Sequence, residues 1–257
     1  APAGNMLFIN VNMRDPVLGK NKALRQAIAA AIDANAIVDV IWNGRGIALN
    51  SVVPVDLAGN EHDTAAPPRR RDLAAAKKLL AGAGYPGGKG LPPLTMRVLG
   101  TDADTRNEFD MIKAQLAAIG VQLLGDFNDT PTFTKAKDAG NFQLAYYAWY
   151  ADYPDAEDFY QLAYGKNVAP GPNSGAFANA AYDKGYEASR TLVNGPQRYE
   201  IFKQLNAILR DEVPLIPVYE SMRSDSLQKW VGNYRRNIFT TEMQFMSFDM
   251  AAKKKGI

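Results

Sequence analysis

Residues 94–149 constrain the fold most, because five segments of alternating period follow one another there without a gap. Leu94–Leu99 is a short apolar run. Residues 105–119 place Phe109, Ile112, Leu116 and Ile119 on one helical face, closed by Gly120. Residues 121–127 are apolar again, 131–139 form a short helix with Pro131 in its first turn, and 142–149 return to an apolar strand. Strands separated by helices cannot close as hairpins, so this β-α-β-α-β order predicts parallel neighbours and an α/β class.

The flanks extend the pattern. Residues 6–11 read as a strand. Leu24, Ile28 and Ile32 make a helical stripe after Lys20 and Asn21. Asp33 is placed to cap a second helix carrying Ile37, Val38 and Ile41, which Asn43, Gly44, Arg45 and Gly46 end. Residues 50–71 are rich in proline and polar groups and read as a long loop. Asp72 caps a helix with Leu73, Ala76, Leu79, Leu80 and Ala83 inward and Gly84 as its stop. After residue 159 the pattern changes to a loop over 166–178 and helices over 182–193 and 197–212, the latter with Tyr199, Phe202, Leu205 and Ile208 as its stripe. Residues 215–219 read as a strand in which Pro217 points to a sheet edge or a crossover. Residues 230–248 are aromatic and poor in strand signals.

Composition excludes several function classes. With 257 residues the chain holds one large domain or two modest ones, and 47% apolar against 22% charged residues is ordinary for a soluble globular protein. A net charge of +2 gives no case for nucleic acid, and Arg69–Arg71 and Lys253–Lys255 are short enough to read as solvated surface. The absence of cysteine removes disulfides, thiolate metal sites and a cysteine nucleophile. No apolar run reaches membrane-spanning length, and the first residues, Ala1-Pro2-Ala3-Gly4-Asn5, are not a signal peptide; a removed leader or a longer parent chain would account for that start. The glycines at 84–90 follow a helix and lack the Ser or Thr of a phosphate loop, and Gly44-Arg45-Gly46 lacks a third glycine. His62, the one histidine, sits between Glu61 and Asp63 in the polar loop and reads as solvated rather than as a triad member or metal ligand.

Residues 142–159 carry the candidate site. An apolar strand ends in Tyr146, Tyr147, Trp149, Tyr150 and Tyr153, with Asp152, Asp155, Glu157 and Asp158 following. Strand ends are where α/β proteins place ligands, and aromatic walls with one charge suit a solute with an apolar body and a cationic end. The acids lack the spacing and turn glycine of a calcium loop. A carboxylate pair for glycoside hydrolysis is the catalytic alternative. Asp155 is placed to cap a helix beginning near Ala156, and Asp158 lies three residues on, in capping-box position. Asp152 is too early for that helix, which leaves a ligand or a salt bridge to a nearby Arg or Lys. Core packing accounts for about half of the aromatics, because a strand turns alternate residues to opposite faces.

These residues also resemble a known family along nearly the whole chain. The series runs from Leu7-Phe8-Ile9-Asn10-Val11-Asn12 through residues 24–33, Ile37-Val38, residues 75–85 and 115–121, then Gly140-Asn141-Phe142, residues 149–155, Asn173, Tyr182-Asp183, Arg198 and residues 214–219. It resembles the C-terminal half of bacterial extracellular solute-binding proteins of the peptide/oligopeptide ABC-importer type, family 5. The resemblance implies an α/β second lobe of a type II (cluster C) periplasmic binding fold, with a mixed sheet, flanking helices and no catalysis. By it, residues 1–12 hold a hinge strand, 13–213 the second ligand-binding lobe, and 214–257 the return hinge strand with a segment of a first lobe.

The resemblance further implies capture of dipeptides or oligopeptides between two lobes for delivery to a membrane permease, in the periplasm, without cofactor or metal. Asp152 matches the aspartate that pairs with a peptide's α-amino group, and Trp149 matches an aromatic of the pocket. Tyr146 stands where some peptide binders carry an arginine. Tyr147, Tyr150, Tyr153 and Asn173 complete the candidate ligand set. An oligosaccharide or another non-peptide solute is the alternative cargo. On this reading the chain lacks the opposing lobe. It is therefore expected to bind weakly by itself and to self-associate through uncovered hinge surface, whereas the two-lobed protein is expected to be a monomer.

Overall fold

A computed structural model of the chain describes residues 2–55, 57, 70–236 and 242–254. His62, Arg69 and Lys255 lie outside the described residues. The main sheet has six strands in the order β2 (Gly46–Ala48), β6 (Leu215–Ser221), β1 (Asn5–Val11), β5 (Leu144–Tyr150), β3 (Leu94–Leu99) and β4 (Leu123–Asn128). β3 runs parallel to both β4 and β5, as the alternation of 94–149 predicts, and α4 (Ala103–Ala117) and α5 (Thr130–Asp138) make the crossovers. β1 is antiparallel to β5 and to β6, so the sheet is mixed.

Helices cover both faces, and strand alternation sorts the side chains between two cores. Ile9, Val11, Met96, Val98, Leu144 and Tyr146 pack with α1 (Lys22–Ala31), α2 (Ala34–Val40), α3 (Leu73–Gly82) and α4. Met6, Phe8, Ala145, Tyr147 and Leu215 pack with α5, α6 (Glu157–Tyr160), α7 (Ala180–Ser189) and α8 (Pro196–Glu212). Asp33 and Asp72 cap α2 and α3 as expected, accepting from the N–H groups of Ala36 and Ala75. Asp102 and Asp129 do the same for α4 and α5.

Pro217 does not mark an edge. β6 is an interior strand between β2 and β1. Its pairing with β1 shifts between Leu7–Tyr219 and Phe8–Pro217, so Val218 is an extra residue at a bulge. The bulge breaks the alternation, turning both Val218 and Tyr219 into the first core, and Pro217 itself lies past the end of the β2 ladder at Tyr219. β2 was not expected, since three residues are too short to show a period. Residues 230–248 contribute β7 (Val231–Gly232) and β8 (Ser247–Phe248), one short antiparallel pair, followed by α9 (Met250–Lys254).

Candidate functional site

β3, β4 and β5 all end at one edge of the sheet, where β1 begins and β6 ends. Residues 151–156 leave β5 at that edge and are tied down on several sides. The Ala151 N–H donates to the Gly4 carbonyl at 2.8 Å. The Tyr153 hydroxyl donates to Glu157, whose carboxylate also takes the Tyr186 hydroxyl and lies 3.6 Å from Arg190. Asp155 Oδ1 accepts from the Glu157 N–H at 2.8 Å, and Asp155 Oδ2 pairs with Arg198. Asp155 therefore braces the helix start through the Glu157 N–H, although the N-cap position itself is Ala156 and carries no side-chain cap.

Asp158 does not complete a capping box. The Asp155 N–H it would reach is taken by the Tyr153 carbonyl. Asp158 instead points inward, fully buried, with Oδ2 accepting from the Trp149 indole at 3.1 Å and from the Asp152 N–H at 3.0 Å. Oδ1 accepts from Gln161 at 2.8 Å. Burial pushes this carboxyl's pKa up, against the pull of the Asp152 and Trp149 donors. Its position in the sequence fits a cap as well as a core group, so spacing could not single it out.

Three of the four acids in the stretch are thus engaged. The Asp152 side chain is exposed, and among the described residues its carboxylate accepts no hydrogen bond and forms no ion pair. The salt bridge that was its structural alternative is not formed there. Trp149 is partly buried against the second core, Tyr150 is 63% exposed, and Tyr153 is 38% exposed.

The other candidates do not stand open to a solute. Tyr146 is buried in the first core, where its hydroxyl donates to Glu108 of α4. Tyr219 donates to the other oxygen of the same carboxylate at 3.5 Å. Tyr147 is buried in the second core beside Asn10, which donates to its hydroxyl at 3.1 Å. Asn173 is buried and spends its amide on the Tyr164 and Phe177 carbonyls and the Phe177 N–H, shaping its own loop. Helices on both faces of the sheet are the reason that Tyr146 and Tyr147, on opposite faces, are both lost to the core. Burial likewise drives the Glu108 carboxyl up to about 7, only partly offset by the tyrosine hydroxyls.

Residues 1–171 match the model of the bacterial extracellular solute-binding proteins, family 5 Middle. This chain belongs to that family. Among family members it is 27% identical to the di/tripeptide-binding protein 3 of Pseudomonas aeruginosa, over 93% of this chain and 44% of that protein. It is 26% identical to heme-binding protein A of Haemophilus influenzae, over 85% of this chain and 40% of that one. The chain thus spans less than half the length of these curated relatives. In structure it matches DppA of Helicobacter pylori, a periplasmic binding protein solved with the peptide STSA, at a TM-score of 0.81 and 20% identity, over 96% of this chain and 48% of that one. HbpA2 of Haemophilus parasuis matches at a TM-score of 0.81 and 24% identity, over 97% and 49%. These two likenesses show the family-5 fold.

Proposed function

We propose that this chain supplies one lobe of the substrate-binding component of an ABC importer, working in the periplasm and delivering peptides to a membrane permease. The observation that carries the reading is the Asp152 carboxylate, unpaired among the described residues at a sheet end where its three neighbouring acids are all engaged. A peptide's terminal ammonium would complete it by a charge-assisted hydrogen bond. Trp149, Tyr150 and Tyr153 offer apolar walls that tolerate many side chains. The di/tripeptide-binding relative supports peptide as the cargo. Closure of an opposing lobe onto this edge would supply the remaining contacts and the differential affinity that drives closure. Hydrolysis of a glycoside would need a second working carboxylate, and the neighbours of Asp152 are committed elsewhere.

The test is calorimetry on the whole gene product with a tripeptide, its N-acetylated form, an oligosaccharide and haem. Asp152→Asn is expected to weaken the free-amine tripeptide about tenfold or more, the worth of one charge-assisted hydrogen bond. The acetylated peptide should bind the wild type and the variant about equally. Equal losses for both peptides, or binding of haem or oligosaccharide in place of peptide, would overturn the amine role.

A further inference from the structure

Asp158 is a buried carboxylate with no cation beside it among the described residues. Such a group is costly, and an asparagine of the same size would satisfy most of the same donors without the charge. Its contacts show what it does hold. One oxygen, Oδ2, receives both the indole N–H of Trp149 and the main-chain N–H of Asp152. The first bond fixes the rotation of a ring at the strand end, and the second fixes the peptide plane between residues 151 and 152. The Ala151 N–H, bonded to Gly4, anchors the preceding plane to the residue before β1. Gln161 holds the other oxygen, so the carboxylate cannot swing away. The Trp149 ring and the backbone that carries the Asp152 carboxylate are therefore held by one atom.

We infer that Asp158 is a positioning residue that presets Trp149 and Asp152 for a peptide's amino end, a role that rests on the reading proposed above. Preset groups lose less freedom when a ligand arrives, so removing the common acceptor should loosen binding without removing any group that touches the peptide. Asp158→Asn keeps an acceptor at the Oδ2 position and should restore what Asp158→Ala loses.

The experiment combines amide and indole NMR with peptide calorimetry on the whole gene product. In the wild type the Trp149 indole N–H and the Asp152 N–H should both exchange at least about tenfold more slowly than those groups do in unfolded chain. Asp158→Ala should shift the Trp149 indole resonance and weaken tripeptide binding about tenfold or more. Asp158→Asn should hold the resonance and stay within about threefold of wild-type affinity. Unprotected N–H groups in the wild type, wild-type affinity in Asp158→Ala, or a tenfold loss in Asp158→Asn with the resonance unmoved would each overturn positioning. The wild-type exchange measurement stands even where Asp158→Ala fails to fold. If Asp152→Asn has no effect on free-amine peptides, the peptide reading falls, while exchange at Trp149 and Asp152 still judges the role of Asp158.

Discussion

Glu108 is another buried carboxylate with a consequence that solution measurements can reach. Its folded pKa of about 7 lies above the ordinary value of 4.5 because burial penalises the charge. In the unfolded chain the proton leaves near 4.5, whereas the folded chain keeps it until about 7. Stability contributed by this group is therefore complete below 4.5 and declines as pH rises to 7, by about 3 kcal/mol in all. Glu108→Gln keeps an acceptor for Tyr146 and cannot titrate. In urea unfolding the variant should gain on the wild type between pH 4.5 and pH 8, and parallel pH profiles would refute the assignment. Glu108 and Asp158 also mark where residue-level reading stops. The role of Asp155 at a helix start was legible because capping is local. The inward turn of Asp158 and the burial of Tyr146 and Tyr147 depend on which helices lie over the sheet, and spacing along the chain does not carry that.

Periodicity made most strands and helices readable, down to the limits of Leu94–Leu99 and the aspartate caps of α2 and α3. It failed where an element is very short, as in β2, or where a partner strand overrides a residue's habit, as at Pro217. The joining of α1 to α8 was also hidden, because it runs through the side chains of Lys22, Arg25 and Gln26, which meet Asp211 and Glu212 at the end of α8. Arg25 is buried and donates to the carbonyls of Leu18 and Gly19 at 2.9 and 2.8 Å and to that of Glu212 at 2.8 Å. It also lies 3.4 Å from the Glu212 carboxylate. Arginine has the fork geometry to meet several acceptors at once, which lysine lacks. Arg25→Leu would remove a donor from each of three carbonyls in a part-buried seam, of which Leu18 keeps the Asn21 N–H, and it should cost about 3 kcal/mol in denaturant unfolding. Arg25→Lys should recover only part of that loss. A cost below about 0.5 kcal/mol for Arg25→Leu would show that the seam is held by apolar packing instead.

On the reading proposed above, the chain supplies one jaw. Its candidate contacts, Asp152, Trp149, Tyr150 and Tyr153, lie at an edge where the chain also enters β1 and leaves β6. In the segment that follows β6, Met222, Leu227, Phe245, Phe248 and Met250 are exposed. Apolar side chains gathered along one segment favour association with a covering surface. A solute gripped from one side keeps much of its water and gains few of the contacts that drive closure. Calorimetry on this 257-residue chain alone should therefore show no binding of free-amine peptides at micromolar concentration. Sedimentation of the same chain should show association that rises with concentration and falls when Phe245 and Phe248 are replaced by Ser. A micromolar Kd for the chain alone would mean that the edge is a complete site. A strictly monomeric chain at high concentration would refute association through these exposed apolar residues.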